Sequence, residues 1–192
     1  MKLVQRVKGI LFDTDAEWAR IEQEGVSVPA LYREHILYLA AIPPFATFLG
    51  AWLFGYSGGV FAGAHPAFAP GLARAALQYG LSLPLLYLVG FVISSLAPHF
   101  DGESDDARAL ALAVYSYTPA WLAEASGLIP GMRWLDIFGF YGVYVFYLGL
   151  PRMLKCPKDH ADIFTLVVLT LTVAAAAGHA FVVHWLAPIT TQ

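Results

Sequence analysis

Apolar residues fall into five long runs separated by short polar or proline-bearing breaks, and a stretch of different pattern, residues 1–33, precedes them. In that first stretch Leu3, Val4, Val7, Ile10 and Leu11 recur at helical spacing with Arg6 and Lys8 on the other side. This predicts a helix lying on a membrane surface, its basic groups among the headgroups. Thr14 followed by Glu17 has the form of a capping box and predicts a second short helix carrying Trp18 and Ile21 on one face. Trp18 then reads as an interfacial anchor; the alternative is a packed cytosolic cap over the rest of the chain. Ser27 and Pro29 mark a further helix start leading into the first apolar run.

The five runs, near residues 36–56, 75–97, 109–129, 134–150 and 163–186, are each of the length a bilayer crossing needs, about 20 residues in a helix. Unpaired backbone groups are not tolerated in hydrocarbon, so the runs predict helices; no alternating strand pattern competes. The fourth is the shortest and has Asp136 near its start. The expected fold is therefore an all-α membrane protein of five transmembrane helices, with an amphipathic N-terminal region over residues 1–33 and a membrane domain over residues 34–192.

Composition agrees with that class. Hydrophobic residues make up 58% of the 192 positions and charged residues 13%, against about 25% charged in a soluble domain. A net charge of −3 without basic tracts excludes a nucleic-acid surface. The single Cys156 excludes an internal disulfide, and the N-terminus lacks the apolar core and cleavage site of a signal peptide. Five crossings put Lys2, Arg6, Lys8, Arg20, Arg33, Arg108, Arg152, Lys155 and Lys158 on one side and only Arg74 and Arg133 on the other. Basic residues stay in the cytoplasm when loops are short, so the N-terminus is expected there and the C-terminus outside.

Candidate chemistry gathers between Tyr115 and Pro157. Pro119 removes a hydrogen bond to the Tyr115 carbonyl, and the hydroxyls of Ser116 and Thr118 are placed to satisfy the freed backbone groups. Tyr115, Ser116, Tyr117, Thr118 and Pro119 thus form a kinked polar segment at membrane depth. Tyr141, Tyr144 and Tyr147 form a ladder in the next run with Gly139, Gly142 and Gly149 among them, which predicts a close helix packing seam or, alternatively, a polar cavity lining. Glu124 lies near the Pro130 turn and is expected to pair with Arg133 at the interface. Ser104 is expected to cap the third span, with Asp105 and Asp106 in its first turn. His35, His99 and His160 are expected at span ends, and no histidine or carboxylate spacing defines a metal site or a catalytic motif.

In order and spacing, RVKGILFDTDAEWARIEQE, LYREHILYLAAIPPFATFLG, HFDGESDDARALALAVYSYTPAWLA and LIPGMRWLDIFGFYGVYVFYLGLPRMLKCPKDHADIFT resemble bacterial members of the Yip1 family of integral membrane proteins. The resemblance covers nearly the whole chain. It implies five spans, a cytoplasmic N-terminus and a multi-pass location in the bacterial inner membrane, with YSYTP as counterpart of a tyrosine-rich, proline-ended motif. Eukaryotic members act in vesicle traffic and bind Rab GTPases. The chain lacks their DLYGP motif and long cytosolic N-terminal region, which puts Rab-type GTPase binding in doubt. The expected role is non-catalytic and cofactor-free, exercised through membrane lipids, further copies of the chain or other membrane proteins. The competing expectation is a small-solute or ion channel or transporter built on the proline-bearing first three spans, with Pro43, Pro44, Pro84 and Pro119 around a wet cavity.

Overall fold

The computed structural model describes residues 3–56 and 62–188, so Lys2 of the charge comparison lies outside the described residues. Its elements are helical: α1 (Leu3–Phe12), α2 (Thr14–Glu24), α3 (Val28–Phe54), α4 (Phe68–Leu96), α5 (Asp106–Ala123), α6 (Tyr141–Met153) and α7 (Lys158–Leu186). Tight 3₁₀ turns extend α4 over Ala97–Phe100, follow α5 over Glu124–Leu128 and precede α6 over Arg133–Phe140.

Four helical stretches are long and apolar enough to cross a membrane: Val28–Phe54, Phe68–Phe100, Arg133–Met153 and Lys158–Leu186. The run expected near 109–129 forms α5, which does not reach that apolarity. Its position explains why. α5 is packed on by α1, α3, α4, α6 and the turn before α6, and its sequence from Ala109 to Ser116 is buried without a break. A helix walled by protein can carry Tyr115, Ser116, Tyr117 and Thr118 without exposing them to hydrocarbon.

One helix starts where Ser27 and Pro29 predict it, and another lies earlier than its apolar run suggests. α3 begins at Val28, with Ser27 in the cap position and Pro29 in the first turn, and passes through a π-wound segment at Tyr32–Ile36. α4 begins at Phe68 and takes in Arg74, whose guanidinium bonds the Ala187 carbonyl and lies 3.4 Å from that of Val183, at the exposed end of α7. Pro43 and Pro44 do not kink a continuous helix. They open the segment Ile42–Phe54 after a turn at Ala40 and Ala41, where proline's fixed φ suits a first helical turn. At α5 the cap is Asp105, whose carboxylate accepts from the Arg108 amide at 2.9 Å; Ser104 instead pairs with the Ser94 hydroxyl at 3.0 Å.

The N-terminal region differs from the surface-helix expectation. α1 folds back along α2, and the pair packs on α5 and α6. Ile10, Trp18 and Ile21 enter the main core, and Arg6 is buried. Trp18 is no interfacial anchor: it is fully buried and its indole nitrogen donates to the Val145 carbonyl at 3.0 Å. Nor do Thr14 and Glu17 form a capping box. The Thr14 hydroxyl donates back to the Ile10 carbonyl at 2.8 Å, and the Glu17 carboxylate is taken by Arg6 at 2.7 Å and Arg20 at 3.0 Å. The buried Glu17 is drawn to its ion pairs rather than to a helix cap because a charge out of water needs its counter-charge more than an amide needs a cap.

Candidate functional site

The polar segment of α5 faces two ways. Tyr115 and Thr118, three residues apart, turn toward α3 and the N-terminal helices; Ser116 and Tyr117 turn toward α4, α6 and α7.

On the first side His35, expected at a span end, is buried, and its Nε2 lies 2.9 Å from the Thr118 hydroxyl. Thr118 also donates to the Val114 carbonyl at 3.2 Å, so its hydroxyl does not serve the Tyr115 carbonyl freed by Pro119. The Tyr115 ring meets His35 edge-on at 4.9 Å and Trp18 at 5.9 Å, and the Arg6 guanidinium lies 5.6 Å from its centroid. Arg6 bonds both Glu17 and Glu24. Burial opposes its charge, yet Tyr115, Glu24 and Glu17 outweigh burial and hold its pKa above the usual arginine value. Arg6, Glu24, Glu34, His35 and Tyr115 border a cavity of about 260 Å³. Arg6, Glu17, Trp18 and His35 were each singled out by sequence, but in other roles and not as one network with Tyr115 and Thr118. One signal was available: Glu17, Ile21 and Glu24 share a face of α2 at intervals of four and three.

On the second side α5 and α6 cross closely. A Cβ at Gly142 would overlap the Ser116 carbonyl oxygen, one at Gly139 would lie 3.2 Å from the Ala120 Cα, and one at Gly149 would lie 2.6 Å from Leu112 Cδ1. This is the packing seam its glycines predict. The tyrosine ladder lies off it. Tyr141 shares a hydrogen bond of 2.9 Å with Thr14, Tyr144 is exposed, and Tyr147 is half-buried. None of the three borders either large cavity, so the ladder does not face the Pro119 segment across a polar space.

Nor does the expected Glu124–Arg133 pair form. Arg133 Nε lies 3.7 Å from Asp136, three residues along the same 3₁₀ turn, while Asp136 also accepts from the Ser126 hydroxyl. The near neighbour wins because it needs no side-chain reach across the turn. Glu124 has no ion pair or hydrogen bond among the described residues; it borders a cavity of about 370 Å³ shared by α4, α5, α6 and α7. Among the described residues no three His, Cys, Asp or Glu side chains could together hold a metal ion.

One end of the bundle collects basic loops. Lys155 bonds Glu22 of α2, the Glu103 amide donates to the Leu154 carbonyl at 2.6 Å, and His160 lies 3.0 Å from Asp101. Burial raises the pKa of the Cys156 thiol there, with Asp101 adding to the effect. At the other end the Pro130 turn packs against Thr47 and Gly50 of α3.

Long apolar helices stacked around a buried α5, with charges gathered at the ends, define a multi-pass helical membrane protein. Its family is also shown: the Yip1 domain model matches residues 8–179, and the chain belongs to that family. It is similar to the inner membrane protein YohC of Escherichia coli K12 and to that of Escherichia coli O6:H1, each 29% identical over 175 residues, covering 88% of this chain and 89% of the relative. No solved structure matches.

Proposed function

We propose that the protein is a non-catalytic, Yip1-type component of the inner membrane that works through contacts with lipids or other membrane proteins. The observation that carries this reading is the outward face of α7. Leu166, Val173, Phe181 and Trp185 are exposed by 62–75% along one 29-residue helix that packs mainly on α4 and α6. An apolar face of that extent is built to meet acyl chains or another apolar helix. On α5, by contrast, Tyr115 and Thr118 are engaged inside the bundle, while Ser116 and Tyr117 border the cavity shared with α4, α6 and α7.

The proposed topology has five crossings, with α5 the third. Glu22, Glu103 and Leu154 meet at one end, so the N-terminal helices, the α4–α5 loop and the α6–α7 loop lie together. That end carries most of the basic residues and is placed in the cytoplasm. The N-terminal helices then act as a cytoplasmic cap.

Neither large cavity reaches Pro43, Pro44, Pro84 or Pro119, and Ser82 is occupied by the Tyr79 carbonyl at 2.7 Å, which weighs against a transport pathway there. Liposomes containing the purified protein test the choice. The contact reading expects no flux of small ions or solutes; flux abolished by substituting both Tyr115 and Thr118 would replace it with a transport function.

A further inference from the structure

The cap formed by α1 and α2 does not stop at the end of the bundle. α2 runs along α6: Thr14 shares a hydrogen bond with the Tyr141 hydroxyl, Trp18 bonds the Val145 carbonyl, and Glu22 takes the Lys155 ammonium. Tyr141 lies a dozen residues before the end of α6, so at 1.5 Å per residue the turn between α1 and α2 stands about 18 Å up the bundle. The start of α3 reaches the same level, because His35 meets Thr118, a dozen residues into α5. α7 passes α6 at this depth too, its Phe164 edge-on to Phe146 at 6.5 Å. Beside Phe164 the surface is apolar, with Ile163 and Leu166 exposed by 59% and 63%. Beside Trp18 it is charged. Lys8, Asp13, Asp15, Arg33 and Glu34 are all exposed, and none has an ion pair or a side-chain hydrogen bond among the described residues.

Lipid cannot cover both flanks. Ionisable side chains at such a depth face protein or water rather than acyl chains. A bilayer meets mismatch by tilting or thinning at a cost that mounts with each ångström, and about 18 Å is over half of a hydrocarbon core about 30 Å thick. We propose that the charged flank is the interface of a homodimer in the membrane, two copies setting α1, α2 and the start of α3 against each other across a hydrated seam open to the cytoplasm. The charges decide the occupant. The flank carries both signs unpaired, Lys8 and Arg33 with Asp13, Asp15 and Glu34, and a twofold axis brings it against an identical surface where either sign finds the other. A partner of one sign would answer one set and repel the other. Among these charges Val4 and Phe12, exposed by 63% and 83%, give the seam apolar contact. The inference rests on the contact reading above and names the partner of that contact.

The test counts fluorescently labelled full-length subunits by photobleaching in dilute lipid vesicles of phosphatidylethanolamine and phosphatidylglycerol. The wild type should bleach in two steps. Lys8→Glu with Arg33→Glu makes the flank acidic, and Asp13→Lys with Glu34→Lys makes it largely basic. Each double variant should lower the dimer fraction roughly tenfold, since like charges then face across the seam. Both should still unfold cooperatively, because these side chains make no ion pair or hydrogen bond within one copy. Co-expressed, the acidic and basic variants should recover two-step spots as mixed dimers. A monomeric wild type, dimers that survive both double variants, or no recovery on co-expression overturns the proposal. Any of these in a protein that passes no solute leaves the contact reading intact; solute flux brings that reading down whatever the subunit count.

Discussion

The imidazole Nε2 of His35 and the hydroxyl of Thr118 lie 2.9 Å apart inside the bundle, tying the π-wound start of α3 to α5 one residue before Pro119. Both are buried, so neither has water as a substitute partner. Thr118→Val keeps the volume and removes the hydroxyl, and it is expected to destabilise the protein by about 1–3 kcal/mol, the cost of an orphaned buried polar group. Denaturant titration in detergent measures it; a loss below about 0.5 kcal/mol would show the bond to be dispensable.

Arg6 and Glu17 form the buried part of the ion-pair network, their side chains 9% and 0% exposed. Removing one partner leaves the other charge buried with only a half-exposed second partner, Arg20 for Glu17 or Glu24 for Arg6, so Arg6→Met or Glu17→Leu alone should cost about 1–3 kcal/mol. The double variant Arg6→Met, Glu17→Leu should be less damaging than either single one, since no buried charge remains. A double-mutant cycle with purely additive losses would contradict the buried pairing.

Gly142 and Gly178 predict opposite outcomes for the same substitution. Gly142→Ala meets the Ser116 backbone and should force α5 and α6 apart at about 1–3 kcal/mol. Gly178→Ala meets open space on α7 and should be neutral or gain up to about 1 kcal/mol from helix propensity. Thermal midpoints of the two variants decide it, and equal shifts would remove the seam from the fold.

The Glu22–Lys155 pair makes docking of the N-terminal helices pH-dependent. A hydrogen bond from Lys155 holds the Glu22 carboxyl below its ordinary value of 4.5, with burial opposing and Arg152 and Arg108 assisting. A depressed carboxyl pKa contributes stability above the unfolded value, and the contribution disappears as pH falls through the lower folded value. Both side chains are partly exposed, so the pair should contribute under about 1 kcal/mol. Glu22→Gln should therefore be slightly less stable than wild type at pH 7 and indistinguishable from it well below pH 4.5. A difference that persists in acid would assign the effect to something other than this pair.

The apolar runs made most of the helices legible, because hydrocarbon leaves a long apolar segment only one regular conformation. α5 and the seam were legible too, the latter from glycines at Gly139, Gly142 and Gly149. Of the two readings of the N-terminal helices, the surface one failed and the packed cap fits, because helical spacing within α1 says which residues share a face, not what that face meets. Arg6 belongs among headgroups only if no carboxylate is near, and Glu17 and Glu24 come near only once α1 folds back on α2. Trp18 shows the same limit: an indole suits an interface and a core equally, and the Val145 carbonyl and the space opened by Gly149 lie more than a hundred residues away. The partner of Glu124 was chosen by sequence proximity, which also favoured Asp136 for Arg133.

Whether α5 crosses the membrane decides the architecture, because its composition alone does not qualify it and it lies at the centre of the bundle. Five crossings leave the two termini on opposite sides; four leave them on the same side. Reporter fusions active only in the cytoplasm or only outside it, placed in turn at each terminus, read this parity directly. The expected result is a cytoplasmic N-terminus and an external C-terminus, and both termini on one side would contradict it.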